Sequence, residues 1–164
     1  MSISFGSALK VLNEIKATGV VQEYAIGGAM ALVFWTEPIA TYDLDVFVLF
    51  PPQEGPILSL APLYEWARGR GYTLESEHIM IEGVPVQFLP SHNALSDEAI
   101  ETARTMDYDG VAVRVVRPEY LAALYLEPSA RTPKRRERVA ALKEAGETDQ
   151  ALLKQILQRY NLEE

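Results

Sequence analysis

The chain contains no cysteine, which excludes a disulfide framework, a thiolate metal site and a cysteine nucleophile. Histidine is nearly as scarce. His78 falls in an alternating strand pattern and His92 in a loop after Pro90; neither has a second His or Cys at ligand spacing, so both read as ordinary polar residues. Long apolar runs are also missing. Every hydrophobic stretch is broken by Glu, Asp or Pro well short of the ~20 residues that span a bilayer. The opening MSISFGSALKVLNEIK carries Glu14 and Lys16 where a signal peptide needs an unbroken apolar core, so a cytoplasmic location with no membrane partner is expected. Positive charge is in deficit, 15 Lys and Arg against 23 Asp and Glu for a net charge of −8, which argues against a dedicated DNA-binding protein. Ser91 lacks a Gly-X-Ser-X-Gly setting, which argues against a serine hydrolase. No repeat, low-complexity tract or linker interrupts the 164 residues, and 48% hydrophobic with 23% charged residues suits one globular unit.

The basic residues that are present are crowded. Residues 1–130 hold 7 Lys and Arg against 17 Asp and Glu, whereas residues 131–164 hold 8 against 6. Arg131, Lys134, Arg135, Arg136 and Arg138 share one short segment, which suits either a phosphate ligand or a solvated helix start.

Hydrophobic spacing predicts a helix over 4–18, a strand over 22–26 and a buried helix over 28–35 that starts at a glycine pair. The run 42–50 is apolar on both faces past Asp45, as in a central strand of a covered sheet. A helix over 58–70 ends at Gly71. Residues 72–81 and 84–89 read as two strands joined at Gly83, with Glu75 and Glu77 on one strand face. Ser96, followed by Asp97 and Glu98, reads as the cap of a short helix. Asp109-Gly110 marks a hairpin between 104–108 and 111–116. Pro118 opens a helix to about 126, 134–144 forms another, and Thr148 or Asp149 caps a last one. Trp35 and Trp66 read as core. The sum is an α/β (α+β) fold: a mixed β-sheet flanked by helices, with a core over 1–117 and a helical C-terminal subdomain over 118–164 packed on it as one compact unit.

Asp43 and Asp45, in "TYDLDVFVLF", head a strand that is otherwise nearly all apolar. Side chains at i and i+2 point the same way, so the two carboxylates share a face. Such a pair needs a cation or strong hydrogen bonds. A magnesium ion fits, because it takes hard oxygen ligands and is commonly held by one or two carboxylates together with substrate phosphates; a pair of solvated residues at a frayed strand start is the alternative. Gly27 and Gly28 stand between a strand and a helix, where bare backbone lets a phosphate approach N–H groups at a positive helix end, although a tight turn uses glycines equally well.

The order strand, Gly-Gly, apolar helix, loop and Asp-hydrophobe-Asp resembles the nucleotidyltransferase fold of the polymerase-beta-like superfamily. "IGGAMALVFWTEPIATYDLDVFV", "GVPVQFLP" and "VRVVRPEYLAALYL" resemble small bacterial and archaeal nucleotidyltransferases of the abortive-infection (AbiEii) toxin type, over residues 20 to 162. The resemblance implies transfer of a nucleoside monophosphate from an NTP to an acceptor hydroxyl on a nucleic acid or protein, with a cognate antitoxin as a partner. It assigns Asp43 and Asp45 to catalysis and Mg2+ binding, and Gly27, Gly28, Arg131 and Lys134 to the nucleotide. The superfamily's third carboxylate matches Gln87, whose neutral oxygen would be the third metal ligand. Tyr125 stands where related toxins tend to have a lysine. Gln87 therefore separates a working enzyme from a nucleotidyltransferase-fold binding module, and a purely structural oligomer is a third reading.

Overall fold

The computed structural model describes residues 5–36, 43–53, 55, 59–130 and 132–164. Seven strands, β1 (Glu23–Gly27), β2 (Leu44–Leu49), β3 (Thr73–Glu75), β4 (His78–Ile81), β5 (Val84–Pro90), β6 (Arg104–Tyr108) and β7 (Val111–Val115), form one mixed sheet in the order β3-β4-β5-β2-β1-β7-β6. Its centre has β2 antiparallel to β1 and parallel to β5. Strand period 2 divides the side chains. Leu44, Val46, Val48, Val86 and Phe88 are buried on one face, while Asp45, Phe47, Gln87 and Leu89 on the other keep partial exposure.

Among the described residues seven α-helices flank the sheet: α1 (Phe5–Thr18), α2 (Gly28–Trp35), α3 (Ala61–Gly69), α4 (Ala94–Glu101), α5 (Pro118–Tyr125), α6 (Pro133–Glu144) and α7 (Gln150–Arg159). Helix α1 buries the stripe Ala8, Leu9, Leu12 and Ile15, the i, i+3, i+4 spacing of an amphipathic helix. Helix α2 is apolar all round because it is wedged between the sheet and helices α5 and α6; Trp35 at its end is core, its indole N–H donating to the Val116 carbonyl at 2.8 Å. Every residue of α5 is buried, and it contacts α2, α4, α6 and α7. The Glu119 carboxylate, 1% exposed, accepts from the Asp149 N–H at 3.1 Å, and Asp149 caps α7 by accepting from Leu152 N–H. Glu98 of α4 accepts from Tyr120 of α5 and from Arg159 and Tyr160 at the end of α7.

The 72–81 segment is not one strand. The chain reverses at Ser76-Glu77, so Glu75 pairs with His78, and Glu75 and Glu77 do not share a strand face. Ser76 takes φ 57° to make the reversal, a conformation with no sequence signature in a Ser-Glu pair. Ser96 is not the cap of α4 either. Asn93 is, its side chain accepting from Ser96 N–H at 2.8 Å, while the buried Ser96 hydroxyl accepts from Asn93 N–H at 3.1 Å in a reciprocal box. Trp66 is half-buried rather than core and carries the Arg70 guanidinium 5.0 Å over its ring. The Glu82-Gly83 and Asp109-Gly110 hairpins have φ > 0 at both turn residues, the pattern of a type I′ turn. The starts of the 4–18, 42–50 and 58–70 readings lie outside the described residues, as does Arg131.

Candidate active site

Sheet register brings the separated sequence signals together. Gly27 on β1 pairs with Asp45 on β2, and Asp45 pairs with Gln87 on β5. Ile79 pairs with Val86, so the next rung sets His78 of β4 beside Gln87. One row, Gly27, Asp45, Gln87, His78 and Glu75, thus crosses five strands on the same face.

The two glycines are where a side chain has no room. A Cβ on Gly27 would run into the Phe47 ring, and one on Gly28 would overlap Oδ2 of Asp45, with Cβ and Cγ of Asp45 at 3.0 Å. Gly28 also has φ +57°, a left-handed conformation that favours glycine. The chain therefore leaves β1, turns and enters α2 directly against the Asp45 carboxylate, which no described residue hydrogen-bonds. A carboxylate at that spot faces the positive end of α2.

Asp45 ionises less readily than an ordinary aspartate. Burial is the main cause, and the negative Asp43 adds to it; His78, Arg135 and Arg138 act in the opposite direction without cancelling it. Asp43 is the exposed member, half of its side chain open to solvent, with Oδ2 3.6 Å from His78 Nε2.

Helix α6 supplies the cations that act on Asp45. Arg135 and Arg138 lie three apart on one helix face, their guanidinium carbons 5.4 and 5.7 Å from the Tyr125 ring centre. Tyr125 is 4% exposed, and its buried hydroxyl lies near the Arg138 guanidinium without a well-formed hydrogen bond. Its ionisation is pushed up, first by burial, against the pull of Arg138 and Arg135, with Asp45 raising it further. Lys134 turns to an open groove of about 280 Å³ between α2 and α6, bordered by Ala29, Leu32, Glu137 and Arg138.

Gly27, Gly28, Asp43, Asp45 and Gln87 thus adjoin one another, Lys134 borders the groove next to them, and Arg131 lies outside the described residues. Sequence reasoning missed His78, Tyr125, Arg135 and Arg138. The arginines were visible as part of the basic cluster, and their i, i+3 spacing was the available signal. His78, taken as an ordinary polar residue, reaches the site because of the Ser76-Glu77 reversal.

Among the described residues no three of His, Asp and Glu converge as a metal site. The protein's donors for a cation are two carboxylates with the Gln87 amide alongside. This set fits a magnesium ion, which keeps several waters and shares its coordination with phosphates, and a divalent cation would relieve both the burial of the Asp45 charge and the Asp43 repulsion that adds to it.

No family model matches the sequence, and no curated protein is similar to it in sequence. Solved structures share its fold. The antibiotic-resistance factor ANT(2'')-Ia superposes with TM-score 0.56 at 16% identity, over 98% of this chain and 93% of its own. An antigenic nucleotidyltransferase-like protein from Paracoccidioides brasiliensis superposes with TM-score 0.55 at 13% identity, over 94% of this chain and 86% of its own. The chain has the nucleotidyltransferase fold. No helix of the described residues is long and apolar enough to cross a membrane.

Proposed function

We propose that the protein is a magnesium-dependent nucleotidyltransferase that moves a nucleoside monophosphate from an NTP to an acceptor hydroxyl and releases pyrophosphate. The observation that carries the reading is the Asp45 carboxylate lodged against the bare Gly28 turn with the Asp43 charge beside it. Bound there, magnesium would neutralise phosphate oxygens and favour in-line displacement. Asp43 and Asp45 would hold the ion, with the Gln87 oxygen as a neutral third donor. The turn at Gly27 and Gly28, where the missing side chains let Phe47 and Asp45 pack against the backbone, would offer N–H groups to the phosphates at the N-terminus of α2. Arg135 and Arg138 supply the fixed positive charge that a triphosphate needs, and Lys134 extends it along the α2–α6 groove. The Tyr125 hydroxyl is a spare donor next to both guanidinium groups. The AbiEii-type likeness of the sequence supports a toxin-type role with a cognate antitoxin as partner.

Gln87 favours a second reading, a nucleotide-binding module with little turnover, because the amide cannot supply the third negative charge. Thermal unfolding with each NTP, with and without magnesium, tests both, since a ligand specific for the native state stabilises it by mass action. A magnesium-dependent rise in Tm that is lost in Asp45→Asn supports the site. Pyrophosphate release on adding acceptor then separates enzyme from module. No NTP response in wild type overturns both.

A further inference from the structure

Resting on that reading, we infer that Tyr125 is a positioning residue: its buried ring holds Arg135 and Arg138 off the Asp45 carboxylate, which leaves the carboxylate open to the metal and both guanidinium groups open to the triphosphate. Opposite charges lie close here and yet are not paired. Arg135 and Arg138 both act on Asp45, but the ion pairs among the described residues include neither arginine, and Asp45 accepts from no described donor. Helix stability does not account for the two cations either. Thr132 caps α6 by accepting from the Arg135 N–H at 3.2 Å, so Arg135 stands in the first turn and Arg138 one turn on, at the helix end that disfavours positive charge.

What holds both arginines is a single ring. Lys134 and Arg136 in the same stretch are exposed, whereas Arg135 and Arg138 are half-buried, their guanidinium carbons 5.4 and 5.7 Å from the Tyr125 ring centre, within the ~6 Å reach of a cation–π contact. The ring is itself fixed, because α5 is buried along its whole length and packs on α2, α4, α6 and α7. A guanidinium laid on a ring face still offers N–H donors at its edge, whereas one closed on a carboxylate commits its donors there. The hydroxyl next to Arg138 is a further weak acceptor for it. With an aliphatic side chain at this position both anchors go, and Asp45, which already attracts the two arginines, is left to bind them. An arginine closed on Asp45 would occupy the carboxylate oxygens that a magnesium ion takes as ligands.

Three replacements separate the ring face from its bulk. Tyr125→Phe keeps the ring, pentafluorophenylalanine in place of Tyr125 keeps the shape but removes the negative ring face, and Tyr125→Leu removes the ring. In NMR spectra of the free protein the Nε–H and Cδ–H signals of Arg135 and Arg138 should be shifted upfield by the ring current in wild type and in Tyr125→Phe, and should return to the ordinary arginine range in Tyr125→Leu. Titration with magnesium alone, and with magnesium and each NTP, should show affinity within about twofold of wild type in Tyr125→Phe and about tenfold weaker in Tyr125→Leu and in the fluorinated protein. Adding Arg135→Ala and Arg138→Ala to Tyr125→Leu should restore the affinity for magnesium alone, a coupling that a purely structural tyrosine would not produce. The fluorinated protein has the shape of Tyr125→Phe, so it carries the comparison if Tyr125→Leu does not fold. Unshifted arginine signals in wild type, equal losses in Tyr125→Phe and Tyr125→Leu, full affinity in the fluorinated protein, or no restoration by the arginine substitutions overturns the inference. If wild type binds magnesium and NTP while the variants bind alike, only the role of Tyr125 falls; if wild type binds neither, the nucleotidyltransferase reading falls and takes the inference with it.

Discussion

Replacing Gly28 by alanine separates what its backbone needs from what the site needs. An alanine at φ +57° pays roughly 1–2 kcal/mol for the left-handed conformation. Its Cβ would also overlap Asp45 Oδ2, and pushing that side chain off its rotamer adds about 1 kcal/mol. Gly19 is the internal control, since it has φ +82° but nothing within 4 Å of an added Cβ. At about 2–4 °C per kcal/mol for a chain of this size, Gly19→Ala should lower Tm by about 2–8 °C. Gly28→Ala should lower it by some 2–4 °C more. The decisive readout is the ligand: Gly19→Ala keeps the full stabilisation by NTP and magnesium, and Gly28→Ala loses it, because the displaced carboxylate no longer faces the turn. Differential scanning calorimetry with and without ligand measures both quantities. Equal destabilisation by the two substitutions together with an intact NTP response in Gly28→Ala would refute the close approach as the basis of the site.

Asp45→Asn should stabilise the metal-free protein at pH 7 while abolishing its response to magnesium and NTP. Burial and Asp43 raise the folded-state pKa of Asp45 above its usual 3.8, so its stability penalty is absent below that value, grows as pH rises through the raised pKa and is then fully present; the Tm advantage of the variant should fade as the pH falls toward 4. Gln87→Glu places a third carboxylate next to Asp45, so Tm in EDTA should fall, whereas magnesium affinity by titration calorimetry and turnover should rise, each by about tenfold for 1.4 kcal/mol. Arg135→Ala combined with Arg138→Ala should weaken NTP binding by at least tenfold, since a charge-assisted bond is worth about 1.5–3 kcal/mol, with unfolding free energy lowered only by the roughly 0.5–1 kcal/mol of each lost contact to the Tyr125 ring.

Local signals carried most of the fold. The apolar period of α1, the Pro118 start of α5, and the two Gly-ended hairpins are determined by residues close in sequence, and these positions were legible. The Ser76-Glu77 reversal was not, because no Gly, Asn or Asp marks the positive φ that Ser76 takes and the strands on both sides continue the same alternation. Asn93 was missed as a cap because Ser96, three residues on, is an equally good capping residue; only the reciprocal hydrogen bonds distinguish them. At the site, the glycine pair and Asp-Leu-Asp were readable because strand and turn geometry bring them together locally. His78, Tyr125, Arg135 and Arg138 converge through sheet register and helix packing between segments far apart in the chain, which a single sequence does not encode as spacing.

The Glu98 carboxylate gives the end of the chain a structural duty. Of its three donors, two come from the close of α7, Arg159 and Tyr160, and one from Tyr120 of α5. Shortening the protein to remove the last six residues would strand a half-buried negative charge and loosen the grip on α5, the helix that holds Tyr125 beneath the arginines. An affinity handle added after Glu164 leaves that clasp intact, whereas a trimmed domain boundary inside α7 would reach the candidate site indirectly.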